Sequence, residues 1–310
     1  MNTPITLSKA IEGYKLAAEA RHLSPNTIAD YANSFRKFIE YLSGDPVFND
    51  IDHITIQRFI ADQTTVTKKT CLNYYTALAA LWTWAVREGL VSRHIVHQVE
   101  PPKQETRQVI PFTQSDVKAL LAALPRSRAY TRPGKRACDH RLSAADRNRS
   151  IIMLLLDTGL RATELCELKI YSMDMRNHRI KVVGGKGDKD RLLPFSARTG
   201  QAIWRYLASR PEALANEPLF VTQGNDPMTR DRLLKLCNSL GQRAGVSDCH
   251  PHRFRHTFAV EFLKNGGNAY ALQDMLGHTT MEMVKVYLHL AQVDLDAAHK
   301  IASPVDNWRL

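Results

Sequence analysis

The most informative part of the chain is residues 250–267, which read HPHRFRHTFAVEFLKNGG. We predict a helix that stops at the two terminal glycines. Residues three apart on a helix lie on the same side, so His252 and Arg255 should point in one direction. His256 is close enough in sequence to share that side. The segment is therefore expected to bring imidazole and guanidinium groups together.

A metal site is one alternative explanation for these histidines. His252 and His256 have the i, i+4 spacing of a zinc-binding helix. Against a metal, no glutamate lies between them as in H-E-x-x-H, and Arg253 and Arg255 would repel a cation. We expect no metal, although the number of imidazoles keeps the alternative open. The histidines concerned are His250, His252, His256, His278 and His289.

A second polar segment, residues 275–292, reads MLGHTTMEMVKVYLHLAQ. Gly277 is expected to end one helix, and Thr279 with Glu282 forms a capping box that begins the next. Tyr287 then lies two turns into that helix. Taken alone, this tyrosine is better explained as a half-buried packing residue, because apolar residues surround it at helical spacing: Met283, Val284, Leu288 and Ala291.

Arg161 is a further basic residue, and a buried helix is predicted before it. Residues 150–157, SIIMLLLD, are continuously apolar and predict a buried helix that ends in a turn at Gly159. Arg161 follows at the start of the next helix, where the helix dipole does not favour a positive charge. Either a bound anion or a salt bridge to Glu164 would explain this arginine, and the segment alone does not decide between them.

A β-hairpin is predicted farther along the chain. The segments 178–183 (HRIKVV) and 190–195 (DRLLPF) flank a glycine-rich turn, GGKGDK. Lys186 lies between two glycines of that turn, where the backbone can approach a ligand closely. Lys189 is a second candidate because the same turn could present either amine. We favour Lys186.

The chain is expected to form two domains joined by a linker. Ser24-Pro25 and Thr67 each begin an amphipathic helix in an all-helical first part, and Thr113 with Asp116 approximates a capping box that begins a helix in the second. The stretch VEPPKQETR lacks periodicity and suits an exposed linker. The predicted boundaries are 1–100 for the bundle, 101–107 for the linker, 108–302 for the second domain and 303–310 for a tail.

The composition of the chain is typical of a globular protein. The 310 residues are 44% hydrophobic and 24% charged, and we recognise neither a membrane span nor a signal peptide, so a cytoplasmic protein is expected. Five scattered cysteines without a CxxC pair favour reduced thiols over disulfides or a thiolate zinc site.

The charge of +11 indicates a polyanionic partner. Residues 1–105 have 11 basic and 11 acidic side chains, whereas the remaining residues have 31 basic and 20 acidic ones. The second domain should therefore bind the polyanionic partner. Residues 126–149 hold eight Arg or Lys against two Asp, as expected either for a segment along a phosphate backbone or for a solvated loop.

Five motifs of the second domain together resemble the tyrosine recombinase (phage integrase) family. The pattern is TGLR-x-x-EL, GKG-x-K-x-R, PH-x-x-RH, LGH and a tyrosine nine residues after the last histidine. The first hundred residues are similar to the core-binding domain of that family in helical pattern, length and position. The motifs here are Thr158-Gly159-Leu160-Arg161 with Glu164-Leu165, Gly185-Lys186-Gly187 with Arg191, Pro251-His252 with Arg255-His256, Leu276-Gly277-His278, and Tyr287.

The resemblance implies a reaction. A tyrosine attacks a DNA phosphodiester and forms a covalent 3′-phosphotyrosyl bond, so that religation needs neither a nucleotide cofactor nor a metal. Two guanidinium groups would neutralise the charge that develops on the phosphate oxygens. By similarity, Tyr287 is the nucleophile, Arg161 and Arg255 bind the non-bridging oxygens, His252 is a general acid/base, Lys186 protonates the 5′-oxygen, His278 hydrogen-bonds the phosphate, and Glu164 supports the site.

The resemblance also implies a fold and partners. The fold is mainly α with a small antiparallel β-sheet: a SAM-like helical bundle followed by a mixed α+β catalytic domain, the two closing around duplex DNA. The partners are double-stranded DNA with a specific recombination site, three further copies of the chain in a tetramer on that DNA, and accessory DNA-bending proteins. The tail is expected to pack against a neighbouring subunit.

Two other functions are considered beside recombination. A type IB topoisomerase shares the chemistry, but the short length and the N-terminal bundle favour a recombinase. A non-catalytic DNA-binding regulator is disfavoured because all six expected catalytic side chains are present.

Overall fold

The computed structural model describes residues 4–103, 110–125, 143–184, 190–278 and 280–291, together with residues 299, 303, 305 and 308. The chain divides into two compact units, Met1–Gln108 and Val109–Leu310. Each unit encloses its own buried apolar core. Most of the predicted linker, most of the basic segment and most of the tail lie outside the described residues, and the predicted domain limits stay predictions.

The first unit is a bundle of helices whose predicted starting points are confirmed. Ser24 accepts a hydrogen bond from the backbone N–H of Thr27 at 3.1 Å, and Pro25 occupies the first turn. Thr67 caps the fourth helix in the same way, through the N–H of Thr70 at 3.2 Å. The helices are α1 (Leu7–Ala20), α2 (Pro25–Leu42), α3 (His53–Ala61) and α4 (Lys68–Arg87), with 3₁₀ turns at Phe48–Asp50 and Ile95–Gln98.

Aromatic rings fill the core of the first unit. The ring centroids of Phe48 and Trp82 are 4.6 Å apart, and those of Phe38 and Phe59 are 5.0 Å apart. All four side chains are buried. Rings of this size each remove roughly 150–250 Å² from water, so these aromatic residues stabilise the bundle.

The second unit is mainly helical. The capping box predicted at Thr113 is confirmed: its Oγ1 accepts from the N–H of Asp116 at 3.1 Å, and its N–H donates to the Asp116 carboxylate at 2.9 Å. Over the described ranges of both units, no helix is long and apolar enough to cross a membrane. The helices are α5 (Gln114–Ala123), α6 (Ala145–Thr158), α7 (Ala162–Glu167), α8 (Ala197–Ala208), α9 (Arg230–Ala244), α10 (Pro251–Lys264), α11 (Ala269–Leu276) and α12 (Glu282–Ala291).

The predicted hairpin is confirmed as part of a three-stranded antiparallel sheet of order β1-β2-β3. Ile180 of one strand faces Leu193 of the next, and both are buried against the core of the unit. The first strand has only two residues and was not predicted. The strands are β1 (Met173–Asp174), β2 (Arg179–Val182) and β3 (Arg191–Pro194). The connecting residues 185–189 lie outside the described ranges.

Helix α10 packs against both α6 and α12. Gly159 ends α6 with a φ of 62°, and a Cβ at this position would lie 2.4 Å from Cδ1 of Phe258. Glycine is therefore required both for the backbone conformation and for the close approach to α10. This contact places the carbonyl of Gly159, two residues before Arg161, beside the part of α10 that carries Arg255.

Candidate active site

Arg255 is buried at the centre of the candidate site, with 2% of its surface exposed. Its Nη1 donates to the carbonyl of Gly159 at 2.9 Å, and its Nη2 donates to the carbonyl of Leu276 at 2.7 Å. Nη2 also lies 2.8 Å from Nε2 of His278 and, as an arginine nitrogen, must be the donor. None of these three contacts is to a carboxylate.

The surroundings of Arg255 lower the pKa of its side chain. Burial, followed by repulsion from Arg161, lowers the pKa of the Arg255 guanidinium to about 10. Glu164 and Tyr287 oppose this shift, and Arg191 adds to it. The guanidinium nevertheless stays charged at neutral pH. A buried cation that is held by carbonyls and repelled by a second cation favours the binding of an anion.

Arg161 and Arg191 are linked through one carboxylate. Arg161 Nη1 lies 3.0 Å from Glu164, and the carboxylate also accepts the Arg161 backbone N–H at 2.8 Å. Arg191 Nη2 lies 2.9 Å from both oxygens of the same carboxylate. Arg161 and Arg191 also donate to the carbonyls of Gly277 and Met275, each at 2.9 Å. The salt bridge considered for Arg161 is thus present, and Glu164 orients both arginines.

Tyr287 is 1% exposed, and its hydroxyl lies 2.7 Å from Nδ1 of His256. The contact joins α12 to α10 across 31 positions of sequence. Burial raises the pKa of Tyr287, and the positive charge of Arg255 opposes this rise. The tyrosine therefore packs in the core, as its apolar neighbours indicated, and also presents its hydroxyl to an imidazole.

Two further predicted histidines lie beside this pair. The ring of His278 is parallel to that of Tyr287 within 12°, with centroids 6.4 Å apart. The ring of His252, whose side chain is exposed, lies 4.1 Å from that of His256. The histidine in hydrogen-bond contact with the tyrosine hydroxyl is thus His256, to which the sequence analysis assigned no role. In the parts of the chain that the structure describes, no three His, Cys, Asp or Glu side chains form a candidate metal site.

Comparison with known proteins places the chain in a family. The family described as "Phage integrase family" matches residues 111–293, and "Phage integrase, N-terminal SAM-like domain" matches residues 11–89. The chain belongs to the phage integrase family. The motifs of the sequence analysis lie within the first of these matches, so the family resemblance inferred from them is confirmed.

Two tyrosine recombinases are similar to this phage integrase family member over most of their length. Tyrosine recombinase XerC of Pelobacter propionicus is 28% identical over 305 residues, which is 96% of each chain. Tyrosine recombinase XerD of Ralstonia nicotianae is 29% identical over 284 residues, 89% of this chain and 88% of the relative. Both similarities therefore extend over nearly nine tenths or more of each chain.

Solved structures of an integrase and of a site-specific recombinase share the fold. The Tn1549 transposon integrase in complex with circular intermediate DNA has a TM-score of 0.74 at 21% identity, covering 94% of this chain and 98% of that one. XerH recombinase bound to its palindromic difH substrate, in a post-cleavage complex, has a TM-score of 0.71 at 22% identity, covering 97% of this chain and 85% of that one. The predicted fold class, mainly helical with one small antiparallel sheet, is confirmed.

The structure brings together five of the six side chains proposed from the family motifs: Arg161, His252, Arg255, His278 and Tyr287. The sixth, Lys186, and its alternative, Lys189, lie outside the described residues. Arg191 was quoted only as part of a motif, without a role. Its position near the start of the second predicted strand, after the predicted glycine-rich turn, was the available signal.

Replacing Glu164 by glutamine should destabilise the second unit by about 3 kcal/mol, since breaking a buried ion pair costs on that order. The carboxylate and the Arg191 side chain are each 10% exposed, and the variant would leave two guanidinium groups without their shared anion. Urea unfolding of the full chain measures the change. The exposed pair Glu282–Lys285 supplies the control, because Glu282→Gln should have a much smaller effect. Equal stability of Glu164→Gln and the wild type would contradict this role.

The stability of the second unit should fall as the pH is lowered from 6.5 to about 4. Burial, followed by the charges of His252, Arg255, His250 and His278, lowers the pKa of His256 from 6.5 to about 4. In that interval the unfolded chain binds a proton at this position and the folded chain does not, so unfolding is favoured at lower pH. Urea unfolding across this range should show a shallower pH dependence for His256→Gln, and an unchanged slope would refute the assignment.

Proposed function

We propose that this protein is a site-specific DNA recombinase that cuts and rejoins duplex DNA through a covalent 3′-phosphotyrosyl intermediate. The observation that carries the proposal is the buried Arg255, which has no carboxylate among its hydrogen-bond partners in the described part of the chain and lies beside Arg161 and Tyr287. A phosphodiester is the anion that this group of side chains suits, because its non-bridging oxygens accept paired guanidinium donors.

The roles proposed for the side chains come from the family resemblance, and the charges and contacts of the described residues support them. Arg161 and Arg255 bind the non-bridging oxygens, and His278 donates a hydrogen bond to the phosphate. As the hydroxyl of Tyr287 attacks phosphorus, the extra negative charge of the transition state is neutralised in place by groups already held by backbone carbonyls. His252, at the exposed edge of the cluster, acts as a general acid/base, and Lys186 protonates the 5′-oxygen as it leaves.

The proposed partners are duplex DNA carrying a recombination site and further copies of the chain. The solved relatives above were determined with DNA, which supports binding of duplex DNA here. Pairwise strand exchange needs subunits on both duplexes, so a tetramer assembled on DNA is proposed, with accessory DNA-bending proteins as additional partners. DNA binding should weaken steeply with salt, because the contacts are to phosphates.

A trapping assay tests the proposal. Duplexes are first enriched from random-sequence DNA by binding to Tyr287→Phe, and are then nicked beside the cleavage position so that the released fragment diffuses away. The wild type should form a covalent adduct in EDTA without any nucleotide. Binding without an adduct would favour the regulator. Relaxation of supercoiled plasmids that lack the selected site would favour the topoisomerase.

A further inference from the structure

Among the described residues, His256 lies within hydrogen-bond distance of the hydroxyl of the proposed nucleophile, Tyr287. Its Nδ1 lies 2.7 Å from the hydroxyl of Tyr287, which is a hydrogen-bond distance. The two residues belong to α10 and α12, which pack directly on each other. The contact is therefore held by the core of the unit and does not depend on a surface loop.

The phenol must lose its proton when it attacks phosphorus. With 1% of Tyr287 exposed, bulk water has little access to receive that proton, and burial raises the pKa of the group. A proton acceptor inside the protein is therefore required. Half-buried His256 is within reach, and its lowered pKa keeps the imidazole neutral and able to accept at neutral pH.

We propose that Nδ1 of His256, in place of the neighbouring His252 to which the family resemblance gives the general acid/base role, accepts the phenolic proton of Tyr287 during DNA cleavage and returns it during religation. This inference rests on the proposed function. An oxygen lone pair of Tyr287 forms the bond to phosphorus, the O–H bonding pair stays on that oxygen, and the proton moves to Nδ1. The bond from phosphorus to the 5′-oxygen breaks with its electron pair, and the 5′-oxygen takes a proton from the general acid assigned to Lys186.

The charges around His256 make this transfer depend on DNA. The groups facing it are His252, His250, His278 and Arg255, together with the Tyr287 hydroxyl, and the positive charges among them disfavour an imidazolium in the free protein. A bound phosphodiester brings a negative charge, which grows in the transition state and offsets that repulsion. His256 thus becomes a stronger base when the scissile phosphate is in place.

A substrate with sulfur in place of the bridging 5′-oxygen separates proton acceptance from leaving-group protonation, because a thiolate leaves without a proton. Single-turnover cleavage of the sulfur and oxygen forms of the nicked duplex is measured for wild type, Lys186→Ala and His256→Gln. Glutamine can keep a hydrogen bond to the tyrosine but cannot accept its proton. Cleavage by His256→Gln should fall by about 10²–10⁴-fold on both substrates, the range typical of general-base loss. Lys186→Ala should recover on the sulfur substrate.

The pH profile gives a readout that a purely structural role would not change. The rate of His256→Gln should rise steadily with pH, as hydroxide replaces the missing base, whereas the wild type should level off. His289→Gln, an exposed histidine on α12, is the control and should behave as the wild type. Thermal unfolding of each variant checks that it is folded.

Each possible result of these cleavage assays leads to a different conclusion. Wild-type or faster cleavage by His256→Gln would overturn the inference and show that His256 only holds the resting tyrosine. Rescue of His256→Gln by the sulfur substrate would assign it to the leaving group and also overturn the inference. Failure of the wild type to form any adduct would remove the proposed function itself, and this inference with it.

Discussion

Tyr287→Phe should bind DNA normally and form no covalent adduct. The substitution removes the attacking oxygen but keeps the ring that packs against α10. The folded state loses only the hydrogen bond to His256, worth about 1 kcal/mol. Adduct formation should fall by at least about 10⁴-fold, as expected when a covalent nucleophile is removed. Denaturing gels of single-turnover reactions on the nicked duplex measure the rate.

Tyr270→Phe is the matched control for this experiment. Tyr270 lies on α11 with 69% of its surface exposed, so removal of its hydroxyl should leave the adduct unchanged. An adduct that forms at the same rate in Tyr287→Phe as in the wild type would reject Tyr287 as the nucleophile.

Arg255→Lys should reduce cleavage by about 10²–10³-fold, in line with the loss of one preorganised donor for a developing anion. A lysine keeps the charge but cannot reach the Gly159 carbonyl, the Leu276 carbonyl and His278 with a single ammonium. Nor can it offer two parallel donors to a phosphate. Single-turnover cleavage and DNA binding, measured together, should show a much larger effect on cleavage.

The exposed Arg205 of α8 supplies the control, because Arg205→Lys should retain wild-type cleavage. Thermal unfolding of both variants separates loss of the folded protein from loss of chemistry. Equal losses in binding and in cleavage by Arg255→Lys would indicate that Arg255 contributes uniform binding and does not stabilise the transition state in particular.

Local signals account for the parts of the fold that were predicted correctly. The caps at Ser24, Thr67 and Thr113 act within three residues, so the sequence alone specifies them. Gly159 likewise ends α6 because its backbone has a positive φ. The capping box predicted at Thr279 lies outside the described residues. Strand β1 was missed because two residues are too few to show an alternating pattern.

Apart from the salt bridge of Arg161 with Glu164, the contacts that organise the site join residues distant in sequence and could not be predicted. Arg191 hydrogen-bonds Glu164, which lies 27 positions away in the sequence, and His256 lies within hydrogen-bond distance of Tyr287, 31 positions away. The spacing argument paired His252 with Arg255 on one side of α10. In the structure Arg255 is buried, and the imidazole at the tyrosine belongs to His256. Which imidazole faces α12 depends on how α12 packs against α10, which helical periodicity does not specify.

Peptide mapping of the trapped adduct identifies the residue bonded to DNA, which we expect to be Tyr287, joined through a 3′-phosphate. Trypsin cleavage after Lys285 and Lys300 releases residues 286–300, in which Tyr287 carries the only side-chain hydroxyl group. Mass spectrometry should find this peptide joined to a 3′-phosphorylated oligonucleotide. A DNA-linked peptide from another part of the chain would rule out Tyr287 as the nucleophile, and a linkage through a 5′-phosphate would rule out a 3′-phosphotyrosyl intermediate.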